Sequence, residues 1–173
     1  MNADVLDALT ERLDAPLIVV TVVSDGQVAG CLAGFHTQCG LQPVRFSVWL
    51  SKANVTYRVA LFTSHLAIHY LDRADHDLAL LFGGETGDEV DKFGRCAWTP
   101  GPAGVPLLER CPNRVVLRKL SMVDDGTDHV CFVGEAVDAS FRDGFRPMRL
   151  SDADDIDPGH PAEDRPSPRD LSD

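Results

Sequence analysis

Short apolar segments separated by polar turns run through most of the chain and predict a fold rich in strands. Residues 17–23 form a continuous β-branched run of strand length, and Asp25-Gly26 provides a turn into a second run at Gln27–Ala33. Residues 45–51 alternate apolar and polar side chains with a period of two, which is typical of a strand with one buried face. These patterns predict three strands in the first third of the chain.

Three more segments of strand length follow at residues 66–71, 115–123 and 129–139. The last two are joined by the sequence DDGTD, whose Asp125-Gly126 pair suits a tight hairpin turn. The sequence therefore predicts at least six strands.

The predicted helices are short. Leu6, Leu9 and Leu13 share one face of a helix that ends before Pro16. Further helices are expected at residues 56–63 and 75–82, with one more helical turn within residues 85–93. The second of these ends at Gly83-Gly84, a usual helix C-terminus.

Many strands with few helices predict a mainly β fold, a closed antiparallel barrel and not a doubly wound parallel sheet. One domain is expected over residues 1–149. Residues 150–173 contain eight acidic residues, two arginines and four prolines, with few apolar residues. This composition predicts a C-terminal tail that is flexible or lies along a partner subunit.

Composition and charge exclude several classes of function. The net charge of -11, without a basic cluster to offset it, argues against nucleic acid as a partner. No apolar run is long enough to span a membrane, and the acidic N-terminus does not resemble a signal peptide, so a cytoplasmic location is expected. Five cysteines without a C-x-x-C pair predict reduced thiols and no zinc site.

The most informative local motif is Ser51-Lys52-Ala53-Asn54-Val55-Thr56, which leaves a strand and enters a helix. Unpaired backbone N–H groups at a helix N-terminus attract an anion, and these side chains add donors and one positive charge. The motif therefore suits a terminal phosphate. In the alternative interpretation, Asn54 only caps the helix, while Ser51 and Lys52 are solvated.

The preceding segment, residues 30–39, ends a strand with small residues followed by hydrogen-bond donors. Glycines here allow backbone amides to approach a planar ring. His65 and His69 have the four-residue spacing of a metal pair on a helix, but the alternation around them favours a strand, so no metal site is predicted.

The chain resembles the flavin reductase-like family. The resemblance covers about residues 14–140 and depends on five ordered blocks. They are GCLAGFHTQCGLQP (30–43), RFSVWLSKANVT (45–56), LFGGETGDEVDKF (81–93), WTPGPAGVPLL (98–108) and GTDHVCFVGEAV (126–137).

The resemblance implies an FMN-binding split β-barrel of Greek-key-like antiparallel topology, and a homodimer with FMN at or near the subunit interface. It implies that Phe35, Thr37 and Gln38 face the isoalloxazine ring and ribityl chain. It further implies that the phosphate is held by four residues: Ser51, Lys52, Asn54 and Thr56. His129 matches a histidine near the nicotinamide side of the flavin, although it could equally be a hairpin residue bonded to Asp128 or water.

The expected function is that of an NAD(P)H:flavin oxidoreductase. Its FMN would be either kept as a prosthetic group or released in reduced form to a partner monooxygenase, and the chemistry would belong largely to the cofactor. FAD or a deazaflavin could replace FMN in a related split-barrel reductase. A protein that only binds or carries flavin is the alternative outside the enzymes.

Overall fold

The computed structural model describes residues 3–159 and shows one large antiparallel sheet with short helices at its periphery. The strands, in chain order, are β1 (Ile18–Ser24), β2 (Gln27–Ala33), β3 (His36–Leu41), β4 (Val44–Ser51), β5 (His65–Tyr70), β6 (Trp98–Pro100), β7 (Pro106–Leu108), β8 (Arg114–Val123) and β9 (His129–Ser140). The helices are α1 (Ala3–Leu13), α2 (Val55–Ala60) and α3 (His76–Gly83).

Seven strands form the main sheet in the order β2-β1-β5-β8-β9-β4-β3, and β6 pairs with β7 in a separate ribbon. The main sheet curves around one apolar interior, because residues from β2 and β4, distant in the strand order, pack in the same core cluster. Val48 and Leu50 point into this interior, as the alternation of residues 45–51 predicts. The prediction of a mainly β, split-barrel fold is confirmed.

Turn chemistry fixes the first hairpin. Asp25 and Gly26 both have positive φ angles, of 49° and 78°. This is the conformation that a two-residue hairpin turn requires, and Asp-Gly adopts it at low cost. Ser24 is consequently paired with Gln27, and the register brings Ile18 opposite Ala33 at the far end, beside the candidate site.

The structure differs from the sequence-based prediction at β3 and at the ribbon of β6 and β7. β3 was not predicted, because its polar and mostly exposed residues form an edge strand that buries no apolar face. The ribbon of β6 and β7 was also missed, since it is rich in proline and glycine. The expected helical turn within residues 85–93 is present as a single turn, in which the backbone nitrogen of Val90 donates to the carbonyl oxygen of Thr86 at 3.0 Å.

His69 lies in a strand, as expected, and is completely buried. Its Nδ1 is 3.2 Å from the carbonyl oxygen of Val19, and its Nε2 is 3.2 Å from the backbone nitrogen of Leu108. The imidazole therefore donates through Nδ1 and accepts through Nε2, which links β1 to β7. Burial is the main reason that its pKa falls to about 3. Within residues 3–159 no group of three or more possible metal ligands occurs.

The chain after β9 returns to the start of the domain. Met148 is completely buried, and its carbonyl oxygen accepts a hydrogen bond of 2.8 Å from the backbone nitrogen of Leu17. Residues 150–159 continue along the domain surface, where Ala153 and Ile156 pack against a core cluster. The structure thus places the first ten residues of the expected tail on the domain; residues 160–173 lie outside the described residues, and their flexibility stays a prediction.

None of the helices described is long and apolar enough to cross a membrane.

Candidate functional site

A cavity of about 280 Å³ opens where β2 and β4 end. Its floor is formed by the last residues of these strands and by the loop that follows β2. Phe82, Gly83 and Glu85, at and just after the end of α3, form one side. The opposite boundary is formed by Leu150, Ala153, Ile156 and Pro158, here called the terminal wall. The cavity is lined mainly by apolar groups, with a few polar side chains at one end.

The polar end is assembled by strand pairing. Ser51, the last residue of β4, pairs with His129, the first residue of β9. Phe35 packs edge-on against the His129 ring, with the ring centroids 5.3 Å apart. Asn54 completes the group at the start of α2. Four of the eight residues implied by the family resemblance, Phe35, Ser51, Asn54 and His129, therefore line one cavity.

The loop between β4 and α2 is organised by its own hydrogen bonds. Asn54 Oδ1 accepts a hydrogen bond of 3.0 Å from the backbone nitrogen of Thr56, so Asn54 caps α2. The Ser51 hydroxyl oxygen accepts from the backbone nitrogen of Ala53 at 3.3 Å. These bonds fix the side chains at the mouth of the cavity, so Asn54 both caps the helix and lines the cavity.

Lys52 and Thr56 are directed elsewhere. The ammonium of Lys52 is 2.9 Å from a carboxylate oxygen of Asp124, which precedes the β8–β9 turn. Thr56 is completely buried, and its hydroxyl lies beside the Cys31 thiol without a well-formed hydrogen bond between them. Neither side chain lines the cavity.

Thr37 and Gln38 are exposed on β3, outside the cavity. The Gln38 amide nitrogen donates to the carbonyl oxygen of Gly40 at 3.0 Å, and the Thr37 hydroxyl donates to the carbonyl oxygen of Gln38 at 3.3 Å. The single chain does not bring these two residues together with the other four.

His129 has a defined partner. Its Nδ1 lies 3.0 Å from a carboxylate oxygen of Asp128, and this hydrogen bond is the main cause that lowers the pKa of Asp128. A carboxylate on one ring nitrogen orients the imidazole and selects its tautomer. The sequence allowed His129 to be either a hairpin residue bonded to Asp128 or a residue of the site. In the structure its ring contacts Asp128 and also lines the cavity.

Lys92 lies between α3 and β2, next to the cavity lining. It is almost completely buried, and its ammonium donates to the carbonyl oxygen of Phe82 at 3.0 Å and contacts that of Gly30 at 3.5 Å. The contact with Phe82 neutralises the carbonyl end of α3 and ties this helix to β2. Burial lowers the pKa of Lys92.

Sequence reasoning missed the terminal wall and the contribution of α3. The signal for the wall is visible afterwards: Leu150, Ala153 and Ile156 are regularly spaced apolar residues in an otherwise acidic segment. Their partners are distant in the chain, so nothing local shows that they face the same cavity as Ser51.

Residues 10–154 match the family model described as flavin reductase like domain. The chain belongs to the flavin reductase-like family. The match includes the cavity floor, formed by the ends of β2 and β4, but stops within the terminal wall.

Individual family members agree with this assignment. The chain is 31% identical over 129 residues to a ferric-chelate reductase (NAD(P)H) from Archaeoglobus fulgidus, covering 74% of this chain and 76% of that protein. It is 27% identical over 119 residues to the FMN reductase (NADH) RutF 2 of Rhizobium rhizogenes, covering 69% and 68% of the two chains.

Among solved structures, the FMN-binding protein from Thermus thermophilus with bound 1-cyclohex-2-enone is similar at a TM-score of 0.71. The two chains are 29% identical, and the similarity covers 78% of this chain and 77% of the Thermus chain.

The residues present fit a flavin. A flavin has a flat apolar ring with a polar edge and a terminal phosphate, so it needs apolar walls, neutral donors and no buried carboxylate nearby. The lining supplies the Phe35 ring, the Ser51 hydroxyl, the Asn54 amide and the His129 imidazole. The one acidic side chain in the lining, Glu85, is 42% exposed and lies 3.7 Å from Arg95.

Proposed function

We propose that this flavin reductase-like protein binds FMN in the cavity at the ends of β2 and β4 and uses it to accept hydride from NAD(P)H. The observation that carries the proposal is the convergence of Phe35, Ser51, Asn54 and His129 on one cavity in a chain of this family. The names of two relatives, an NAD(P)H-dependent ferric-chelate reductase and an NADH-dependent FMN reductase, support the nicotinamide substrate.

Each lining residue has a physical role in this proposal. Ser51 and Asn54 donate hydrogen bonds to the phosphate, and Phe35 packs against the ring system. His129, oriented by Asp128, donates a hydrogen bond to the nicotinamide carboxamide and so positions the nicotinamide ring against the flavin. The apolar walls exclude water from the reacting faces. When bound, the flavin supplies the hydride acceptor, so no general acid or base is needed for the transfer itself.

The other four implied residues do not line the cavity. Lys52 reaches the phosphate only by leaving Asp124, with which it is paired at 2.9 Å. Thr56 contributes by stabilising the start of α2. Thr37 and Gln38 lie on the edge strand β3, and we propose that they meet the flavin groove at the interface of a homodimer.

Exposed apolar side chains support such a dimer. Six of them lie on the half of the sheet that contains β3, β4, β8 and β9: Leu41, Val44, Leu120, Met122, Val123 and Val137. Exposed apolar residues grouped in this way are typical of an interaction surface. We also propose a cytoplasmic location, which the five free cysteines support, and the supply of reduced flavin to a monooxygenase as one use of the product.

Visible spectroscopy and anaerobic stopped-flow kinetics test the function. The purified protein, reconstituted with FMN, should show the bands of oxidised flavin, and mixing with NADH or NADPH should bleach them in a saturable reaction. Ferric chelate, FAD and free FMN should then be compared as electron acceptors. A flavin band that neither nucleotide bleaches would instead indicate a carrier, and activity restored only by deazaflavin would indicate that cofactor.

A matched pair of serine variants tests the site. Ser51→Ala removes a proposed phosphate donor and should weaken FMN binding about tenfold, the effect of one hydrogen bond to a charged group. Ser140→Ala removes a hydroxyl on the exposed end of β9, outside the cavity, and should leave the affinity unchanged. Equal affinities in both variants would remove Ser51 from the phosphate site.

A further inference from the structure

The terminal wall differs from the rest of the cavity in two respects. It comes from the other end of the chain, and it extends beyond residue 154, where the match to the family model stops. Ile156 and Pro158 are thus parts of the cavity that the family model does not include.

The wall presents its apolar side to the cavity and its polar side to the domain. Leu150 lines the cavity while 41% exposed, and Ile156 is only partly buried, so both side chains have apolar surface that a ligand can cover. Two acidic residues of the segment bond to side chains outside the cavity: Asp152 to the Arg73 guanidinium, and Asp155 to the His76 imidazole at 2.8 Å. Neither carboxylate lines the cavity.

The wall is held closely but by weak contacts. The backbone nitrogen and hydroxyl of Ser151 donate to the Asp14 carboxylate at 2.9 and 3.0 Å. The backbone nitrogen of Gly159 donates to the carbonyl oxygen of Gly83 at 3.0 Å. The Asp152 and Asp155 contacts each include an exposed partner, and exposed ion pairs contribute little individually. Besides these polar contacts, Ala153 and Ile156 pack against a core cluster, so apolar contacts also hold the segment beside the cavity.

We propose that the terminal wall contacts the bound flavin and slows its release, so that this protein keeps its flavin from one turnover to the next. The inference rests on the proposed function, because it takes flavin as the ligand of the cavity. It specifies in addition that FMN acts here as a resident cofactor and not as a freely exchanging substrate.

The test is the dissociation rate of FMN from the full-length protein, measured by the fluorescence of released FMN after dilution. Ile156→Ala removes apolar contact from the wall and should raise the rate about tenfold, the effect of about 1.4 kcal/mol. Asp155→Asn weakens the hydrogen bond to His76 and should raise the rate about threefold, within the range of a single hydrogen bond.

Asp154→Asn is the matched control, because it makes the same change of charge at an exposed neighbouring position that has no bond to His76. It should leave the dissociation rate unchanged. The rate of bleaching by NADH at saturating FMN should be the same in Asp154→Asn and Asp155→Asn as in the wild type, since neither side chain lines the cavity.

Unchanged dissociation in both Ile156→Ala and Asp155→Asn would overturn the inference while leaving the proposed function intact. Tighter FMN binding in Ile156→Ala would also overturn it, because the wall would then occupy space that the flavin needs. If the wild-type protein binds no FMN at all, the proposed function fails first and the inference fails with it. If Ile156→Ala does not fold, the dissociation rates of FMN from Ile156→Val and Asp155→Asn provide the test, and unchanged rates in both overturn the inference.

Discussion

His129 lies in the candidate site and has an imidazole that can donate a hydrogen bond to the substrate. It starts β9 beside Ser51, contacts the Phe35 ring and is oriented by Asp128. The sequence identified this histidine only through its resemblance to a family motif, because a histidine after a hairpin turn has no distinctive local pattern. The structure adds the physical reason: strand register brings it to the cavity, and Asp128 holds its ring.

We predict that His129→Ala lowers kcat/KM for NAD(P)H about tenfold, the loss expected for one hydrogen bond to the bound substrate. The flavin spectrum and the affinity for FMN should change little, because the histidine acts on the nicotinamide side. Steady-state kinetics at saturating FMN measures the effect. His65→Ala, outside the cavity, serves as the control; unaltered kinetics in His129→Ala would exclude the proposed role.

His69 shows how a titratable residue can be entirely structural. Its pKa of about 3 means that the folded protein keeps the imidazole neutral, whereas the unfolded chain takes up a proton near pH 6.5. Since the unfolded state binds more protons between these values, stability must fall as the pH decreases from about 6.5 towards 3.

We predict that the free energy of unfolding falls by about 2 kcal/mol between pH 7 and pH 5 because of His69 alone. Urea unfolding at the two pH values measures this change. His69→Gln should be less stable at pH 7 but should lose less stability on acidification than the wild type. Equal losses in the two proteins would show that another group causes the acid sensitivity.

At the scale of elements, the strands with a buried apolar face were predicted closely and the others were not. β1, β2, β4, β8 and β9 follow β-branched or alternating patterns, and the predicted bounds agree with the structure to within two residues. β3 escaped prediction because its residues are mostly polar and exposed and form no apolar pattern, and the β6–β7 ribbon because proline and glycine obscure a short strand. The terminal wall depends on contacts between distant parts of the chain, which no local pattern records.

The packing of α3 against β2 depends on one missing side chain. A Cβ atom at Gly30 would lie 2.8 Å from the ring of Phe82 and 3.1 Å from the carbonyl oxygen of Val20. Phe82 is itself buried and packed edge-on against Phe93, so it has little room to move. Gly30 is therefore needed for close approach of the helix and not for an unusual backbone angle.

We predict that Gly30→Ala destabilises the protein by about 2 kcal/mol, as overpacking of a filled core does. Gly34→Ala is the matched control, because its Cβ would meet Leu150 at an ordinary distance of 3.5 Å. Thermal or chemical unfolding of both variants compares them directly. A loss of stability in Gly34→Ala as large as that in Gly30→Ala would contradict this explanation.

At the scale of the whole molecule, the main question is what covers the exposed apolar side chains of β3, β4, β8 and β9. We predict that the protein is a dimer at micromolar concentration and that Met122→Lys, which places a charge on this surface, makes it a monomer. Light scattering coupled to size-exclusion chromatography measures the mass.

Leu80→Lys provides the comparison, since Leu80 is 48% exposed on α3, away from the proposed interface, whereas Met122 is 45% exposed. This variant should remain a dimer. A wild-type monomer, or dissociation of both variants alike, would exclude the proposed interface. Thr37 and Gln38 could then not contact the flavin in the way proposed.

The position of the terminal wall has a consequence for how proteins of this kind could diverge. The residues proposed to hold the flavin and position the nicotinamide lie within the span matched to the family, whereas Ile156 and Pro158 follow it in the chain. Substitutions or length changes after residue 154 can therefore alter the lifetime of the cofactor complex without disturbing the sheet that positions the reacting groups. A resident-cofactor enzyme and a supplier of diffusible reduced flavin could then be separated by a few residues at the edge of one shared barrel.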